Sequence, residues 1–467
     1  MNTKENKIKL LCFTDTNSGR DVEMILPVRY FAEKFLNCKF QHAVSFDIHQ
    51  IYKQKPDIVL APNTIGSNLY FKIAKYAHSQ NIPIFSLISE GNFRTDGSFN
   101  YWGYNRDKKF YQEYVCCWSE RTQKFLFEKE PQEKNKIVLT GGTGFDRYNI
   151  YKYGAKEAFL KKYNKTQCKK IIGYAGWAFG KLQHKRGVEE LLFFLGGDPA
   201  KLEWIEKQRR LVRDILKEAI INNKDTLFIL KKHPQENSPE RTTEVENEMS
   251  ELKDYDNVLY IGEEEPLLNL ISVSDIWTCF ESTTSLEAWL MGKQTIYINP
   301  EVDFKRDPNF KGSAVVQNYS EFQAMINGYY TTGKIPQFFS AEKEGNRKEL
   351  IKNIAGFGDG LNHIRASYYL SKTIEKLKTK SAPEYKFNFL YFLYHVFTIT
   401  GGLFYIRPFY RKLYKFNKHL WVFENYKMRE IETLYSQYSP FLEDFYKKNE
   451  IRDKFAKGEL FNSIFNI

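Results

Sequence analysis

His233-Pro234, preceded by Lys231 and Lys232, closes an apolar run, TLFIL, that reads as a strand. An imidazole beside two ammonium groups can donate hydrogen bonds to a phosphate oxygen. The proline ends the strand so that the ring projects from it. Further on, FESTTSLEAWLMGKQTIYINP (280–300) runs strand, turn, helix, strand. Ser282, Thr283 and Thr284 then occupy the first helical turn, where hydroxyls, unpaired backbone N–H groups and the helix dipole favour an anion. Thr284 and Glu287 also have capping-box spacing, and a capped helix end remains an anion site; Glu287 could alternatively reach ribose hydroxyls.

In ISEGNFRTDGSFNYWGYN (88–105), Glu90 falls at a strand end ahead of a loop too polar for a core. A carboxylate there serves either as general base toward an acceptor hydroxyl or as a turn or capping residue. IIGYAGW (171–177) turns at Gly173 and Gly176, and glycine lets a backbone approach a ligand closely. This spacing is neither GxGxxG nor a P-loop, and GKS or GKT occurs nowhere, so Walker-type phosphoryl transfer is not supported. GGTGFDR (141–147) also lacks dinucleotide spacing and reads as a connection between domains. Asp254-Tyr255-Asp256 has the form of a metal-binding DxD, but it precedes a strand instead of following one. No divalent metal is expected.

These residues become a site only if the strands ending at them share an edge. Apolar runs recur at 8–13, 57–62, 82–89, 114–119, 136–142, 171–177, 226–234, 257–262, 275–282 and 294–300, separated by helical patterns such as 66–79 and 201–222. Strands that are apolar throughout are buried on both faces and belong to parallel sheets covered by helices. The expected fold is α/β, two Rossmann-like domains in tandem. The first spans 1–150 and takes the acceptor; the second spans 151–378 and takes the donor. Ligands in such sheets bind outside the carboxyl ends of the strands, and a cleft between the halves is expected.

Residues 379–467 form an aromatic, basic helical extension. FNFLYFLYHVFTITGGLFYI (387–406) has no charge, and from Lys386 to Lys418 there are six Lys/Arg and no acid. The run is long enough to span a bilayer but diluted by Asn, His, Thr, Gly and Tyr, which suits either an anchor in an anionic membrane surface or a cap packed on the domains. Aromatic residues reach 16% of the chain and the formal charge is +12. That charge favours anionic partners, yet no nucleic-acid-reading motif is present, so a nucleic-acid partner is not expected. The six scattered cysteines contain no CxxC, and the N-terminus has no signal-peptide pattern. The expected place is the cytoplasm, with attachment to the inner face of the cell membrane if the tail is an anchor.

The combination resembles the GT-B glycosyltransferases of bacterial surface-carbohydrate synthesis. The order Ser89-Glu90-Gly91, His233-Pro234, Ser282-Thr283-Thr284 is similar to three short motifs of bacterial sialyltransferases and related transferases of 2-keto sugar acids. The resemblance implies that Glu90 deprotonates the acceptor, that His233 steadies the departing CMP phosphate, and that Ser282 to Thr284 bind its oxygens. Gly176, Lys232, Pro234 and Glu287 would complete the donor site. It implies an inverting, metal-independent reaction with no cofactor besides the nucleotide-sugar donor, acting on a surface glycan or lipid-linked acceptor. One departure is Ser89, which stands where those families have a first acidic residue; Asp96 is the other nearby carboxylate. The His-Pro and Ser/Thr elements also resemble UDP-sugar-dependent GT-B transferases, CDP-glycerol polyol-phosphate transferases and UDP-N-acetylglucosamine 2-epimerases.

Overall fold

The computed structural model of the chain describes residues 7–15, 19–93, 103–104, 109–176, 192, 197–232, 248–262, 264–301, 308–401 and 426–465. The chain divides into two compact units, Met1–Tyr151 with Lys352–Ile467, and Lys152–Ile351. The fold is α/β, with one parallel six-stranded sheet in each unit and a set of C-terminal helices.

In the first unit, β1 (Ile8–Thr14), β2 (Cys38–Val44), β3 (Ile58–Ala61), β4 (Ile84–Ser86), β5 (Tyr114–Cys117) and β6 (Ile137–Leu139) lie in the order β2-β1-β3-β4-β5-β6. Strand β1 is apolar from Leu10 to Phe13, where both of its faces are covered, while Lys9 near its start is exposed. Leu10 and Cys12 meet Met24, Ile25 and, on α1 (Leu26–Phe35), Val28 and Ala32. Leu11 and Phe13 meet Ile51 on α2 (Gln50–Gln54) and Tyr70, Ile73 and Ala77 on α3 (Asn68–Ser79). The edge strand β2, CKFQHAV, has no continuous apolar run, because an edge position tolerates exposed Lys39 and half-buried Gln41. Helix α4 (Glu120–Lys129) follows β5, with Ser119 Oγ accepting from the Thr122 N–H as its cap.

In the second unit, β7 (Lys170–Ala175), β8 (Thr226–Lys231), β9 (Val258–Ile261), β10 (Ile276–Cys279), β11 (Thr295–Ile298) and β12 (Ala314–Val316) lie in the order β12-β11-β10-β7-β8-β9. The long α5 (Pro199–Asn222) connects β7 to β8 and buries Val212, Leu216, Ala219 and Ile220. The seven-residue α6 (Thr284–Leu290) connects β10 to β11.

Residues 352–378, read from the sequence as the end of the second domain, lie with the first unit instead. On α7 (Asn362–Lys376), Ala366 and Leu370 join the core under β1, and the Asn362 and His363 N–H groups both donate to the Asp146 carboxylate. The His363 ring bridges Asp146 Oδ2 at 2.8 Å and the Tyr446 hydroxyl at 2.9 Å, all three fully or almost fully buried. An amphipathic helix goes where an uncovered sheet face needs it, and that face belongs to the first sheet.

The extension is helical: α8 (Phe389–Gly401), α9 (Met428–Lys448), α10 (Ile451–Ala456) and α11 (Leu460–Phe465). The last three cap α1 and α7. Tyr446 packs 5.3 Å from Tyr30 and 5.9 Å from Phe35, and Phe455 and Phe461 close around Phe31. Much of the aromatic content is thus core. Arg29 anchors the cap through two bonds to Glu432, of 2.8 and 2.9 Å, and holds that carboxyl below its usual range. Of the 387–418 tract, residues 402–418 lie outside the described residues.

Candidate functional site

The second sheet reverses its strand order between β7 and β10, the place where open α/β sheets take ligands. Cys279, Ala175, Lys231 and Ile261 pair across β10, β7, β8 and β9, so the residues following them leave from one carboxyl edge. Gly176, Lys232 and the 280–284 turn are therefore brought together. His233 and Pro234 follow Lys232 in the chain but lie outside the described residues, as does Asp96.

The turn after β10 is built around an unusual backbone. Glu281 has φ +50°, a left-handed conformation that costs a side-chain-bearing residue about 1–2 kcal/mol. Tyr297, paired with Cys279 on the neighbouring β11, compensates: its hydroxyl accepts from the Glu281 N–H at 2.9 Å and donates to Glu281 Oε1 at 2.8 Å. The turn then tightens into α6 within two residues.

The hydroxyl sequence differs from the expected first helical turn. Helix α6 begins at Thr284, so Thr283 is its cap residue and Ser282 precedes it. The capping interaction joins Ser282 Oγ to the Thr284 N–H at 3.3 Å; it is not a Thr284–Glu287 box. Thr284 is buried, and its Oγ1 accepts from Ser282 at 3.1 Å and from the indole Nε1 of Trp277 at 3.0 Å. A hydroxyl with two donors on its oxygen keeps its own proton as the group it can offer. Thr283 is the exposed hydroxyl of the three, and Glu287 is half-buried on α6.

The two glycines of IIGYAGW divide in role. Gly173 does not form a turn; it lies inside β7, where a Cβ would stand 2.3 Å from the ring of buried Trp277. Its absent side chain makes room for the indole that holds Thr284. Gly176 is the first residue past β7, with the Tyr174 hydroxyl 2.2 Å from where its Cβ would be. Beside it, the Lys232 ammonium sits 4.6 Å above the Tyr260 ring, and the Lys231 ammonium donates to the Lys232 carbonyl at 2.8 Å. Glu264 accepts from the Gly262 N–H at 2.6 Å; its own N–H first, then that of Gly262 and the Lys232 and Lys231 charges, draw its carboxyl below the usual range. Asp254-Tyr255-Asp256 precedes β9, at the amino edge of the sheet. Among the described residues no cluster of three His, Cys, Asp or Glu could hold a metal ion.

Glu90 belongs to the first unit, four residues past β4, and is half-buried. Its loop is pinned on both sides: the Trp118 indole donates to Ile88 O at 2.5 Å, and the Thr122 hydroxyl to Gly91 O at 2.5 Å. Gly103 packs on the Glu90 carbonyl, where a Cβ would overlap it at 1.9 Å. At the switch point of the first sheet, between β1 and β3, stands a group that sequence reasoning passed over. Tyr70 OH accepts from the Asp15 N–H at 3.0 Å and donates to Asp15 Oδ1 at 3.1 Å, with Asp21 Oδ2 at 3.4 Å. Burial, then the charges of Asp21 and Asp15, pushes its phenol well up. Asp15 and Asp21 bound the polar loop TDTNSGRD, the one signal they gave; Glu281 and Tyr297 gave none, since their pairing depends on strand register.

Residues 205–298 match the capsule polysaccharide biosynthesis protein family, a stretch running from α5 through β11 that contains the Ser282–Glu287 turn. No curated protein matches the chain. Among solved structures, a putative UDP-N-acetylglucosamine 2-epimerase from Listeria monocytogenes superposes with a TM-score of 0.50 at 13% identity, covering 82% of this chain and 100% of that one. Another UDP-N-acetylglucosamine 2-epimerase gives 0.50 at 14% identity, over 79% of this chain and 97% of the other. The likeness is one of fold: two Rossmann-like α/β domains of the GT-B type.

Proposed function

We propose that the chain is an inverting, metal-independent glycosyltransferase of surface-polysaccharide synthesis, moving a sugar from a nucleotide donor onto a glycan or lipid-linked acceptor. The donor we assign is a CMP-activated 2-keto sugar acid, from the order Glu90, His233-Pro234, Ser282–Thr284. The observation carrying the nucleotide site is that Gly176, Lys232 and the Ser282–Thr284 turn leave three neighbouring strands at one switch-point edge.

In the reaction the acceptor oxygen attacks the anomeric carbon, Glu90 takes its proton, and the bond from that carbon to the phosphate oxygen breaks. Charge collects on the departing phosphate. Lys232, the His233 imidazole and the Thr283 hydroxyl would meet it, the kind of preorganised donor set that needs no metal. Attack from the face opposite the leaving group inverts the anomeric centre.

Thermal stabilisation by CMP, CDP, UDP and GDP tests the donor, since a ligand at 100 times its Kd adds about 2.7 kcal/mol. CMP is expected to stabilise most. Replacing His233 by Ala should lower transfer by roughly 10²-fold or more without loss of folding; full retained activity would defeat the assignment. The second reading, favoured by the two epimerase structures of the same fold, is a nucleotide-sugar 2-epimerase. It predicts UDP preference and isomerisation of the donor with no acceptor present.

A further inference from the structure

Helix α8 has two unlike faces. Tyr391, Phe392 and His395 turn inward: the Tyr391 ring lies 4.8 Å from Tyr76, the Phe392 ring 5.4 Å from His49, and His395 Nδ1 2.7 Å from Asp47 Oδ2. The chain entering α8 is tied to the same body. The Lys386 N–H donates to Gln80 Oε1 at 2.7 Å, and the Tyr385 hydroxyl to Pro56 O at 2.9 Å. The outward face carries Phe389, Leu390 and Leu393, which with Phe387 are 63, 62, 45 and 51% exposed. Only nine large apolar side chains among the described residues are exposed, and six fall between Phe387 and Val396. No charge interrupts 387–401. A soluble surface rarely gathers apolar groups this way without an occupant.

The surrounding charge identifies the occupant. Helices α2 and α3, on which α8 lies, carry exposed Lys53, Lys72 and Lys75 and no Asp or Glu, while Lys386, just before α8, is paired with Glu384 at 2.6 Å. An apolar helix face bordered by cations fits acyl chains bordered by anionic headgroups. Thirteen residues rise about 20 Å against a hydrocarbon core of about 30 Å, and no described helix is long and apolar enough to cross a membrane. The inward face is already committed to the first unit.

We infer that α8 lies flat in the surface of an anionic lipid bilayer, burying Phe387, Phe389, Leu390 and Leu393 at the acyl boundary while Lys53, Lys72 and Lys75 meet the headgroups. Asp47 follows the carboxyl end of β2, so α8 reaches the sheet edge from which the Glu90 loop leaves. On the transferase reading this brings a lipid-linked acceptor toward the base, but the attachment stands without that reading.

The test is flotation of the full-length protein with vesicles of phosphatidylcholine alone and vesicles that also contain phosphatidylglycerol. Capture by the anionic vesicles is expected, weakened by salt, and roughly tenfold or more weaker in the F389S/L390S/L393S variant. No capture, or equal capture of both proteins, overturns the inference. Should the triple variant unfold, Leu390→Cys carrying an environment-sensitive fluorophore replaces it, the six native cysteines being buried. A blue shift on anionic vesicles is then expected, and an unchanged spectrum overturns the inference. A dimer in solution that the triple variant converts to monomer would give the face to a second copy and overturn it as well.

Discussion

The indole N–H of Trp277 donates to Thr284 Oγ1 at 3.0 Å, joining the middle of a buried strand to the first residue of the helix at the candidate donor site. Trp277 fits only because Gly173, opposite it on β7, has no side chain. Gly173, distant in sequence, thus acts with Trp277 and Thr284 as one support.

Gly173→Ala should lower the thermal midpoint, with a cost of roughly 1–3 kcal/mol from overpacking against the indole. Thr284→Ala should cost a similar ~1–3 kcal/mol by leaving the buried Trp277 donor unmade, and Thr284→Ser should restore most of it. Equal midpoints for the Ala and Ser variants would remove the Trp277 contact from the account.

Tyr297→Phe should destabilise by roughly 1 kcal/mol, because both of its bonds to Glu281 are lost while the left-handed backbone remains. Adding Glu281→Gly to that variant should recover part of the loss, since glycine adopts positive φ without penalty. A double variant no more stable than Tyr297→Phe alone would contradict this.

Glu90 lies in the first unit and the nucleotide candidates in the second. On the proposed reaction, Glu90→Gln should reduce kcat by about 10²–10⁴-fold and leave nucleotide-induced stabilisation unchanged. A variant that loses nucleotide binding in parallel with turnover would show that Glu90 is not an acceptor-side base.

His42 is buried on β2, and neither ring nitrogen has a hydrogen-bond partner among the described residues. Burial first, then the Arg29 charge, lowers its pKa from 6.5 to about 4. The unfolded chain then binds the proton more tightly, so stability should fall as pH drops from about 6.5 toward 4 and level off below, by roughly 3 kcal/mol at most. His49 and His78 are lowered too and act in the same direction. Carboxylates held low by partners, such as Glu113 and Glu432, lose their contribution only as pH falls through the acidic range. Thermal midpoints between pH 6.5 and 4.5 should decline in the wild type and decline less in His42→Gln; parallel curves would exclude this histidine.

The α/β class was legible in the sequence for a simple reason. A stretch covered on both faces must be almost wholly apolar, and runs such as LLCF and TLFIL say so without reference to anything distant. The edge strand β2 escapes that rule through exposed Lys39 and half-buried Gln41, and β12, although apolar, is too short at three residues to stand out. Local chemistry was equally readable: Gly176, Lys232 and the Ser/Thr turn stand at strand ends because proline, glycine and capping residues end strands in their own neighbourhood.

What the chain itself determined, then, is which segments are strands and which short motifs follow them. Tertiary structure alone decided that β10, β7 and β8 are neighbours, that Gly173 serves Trp277, and that Tyr297 meets Glu281. It also decided that α7 covers the first sheet although it follows the second in sequence. Hydrophobic periodicity records that a face will be buried but not against what; the partner is chosen by strand register and by which sheet face is left uncovered, and both are properties of the assembled fold.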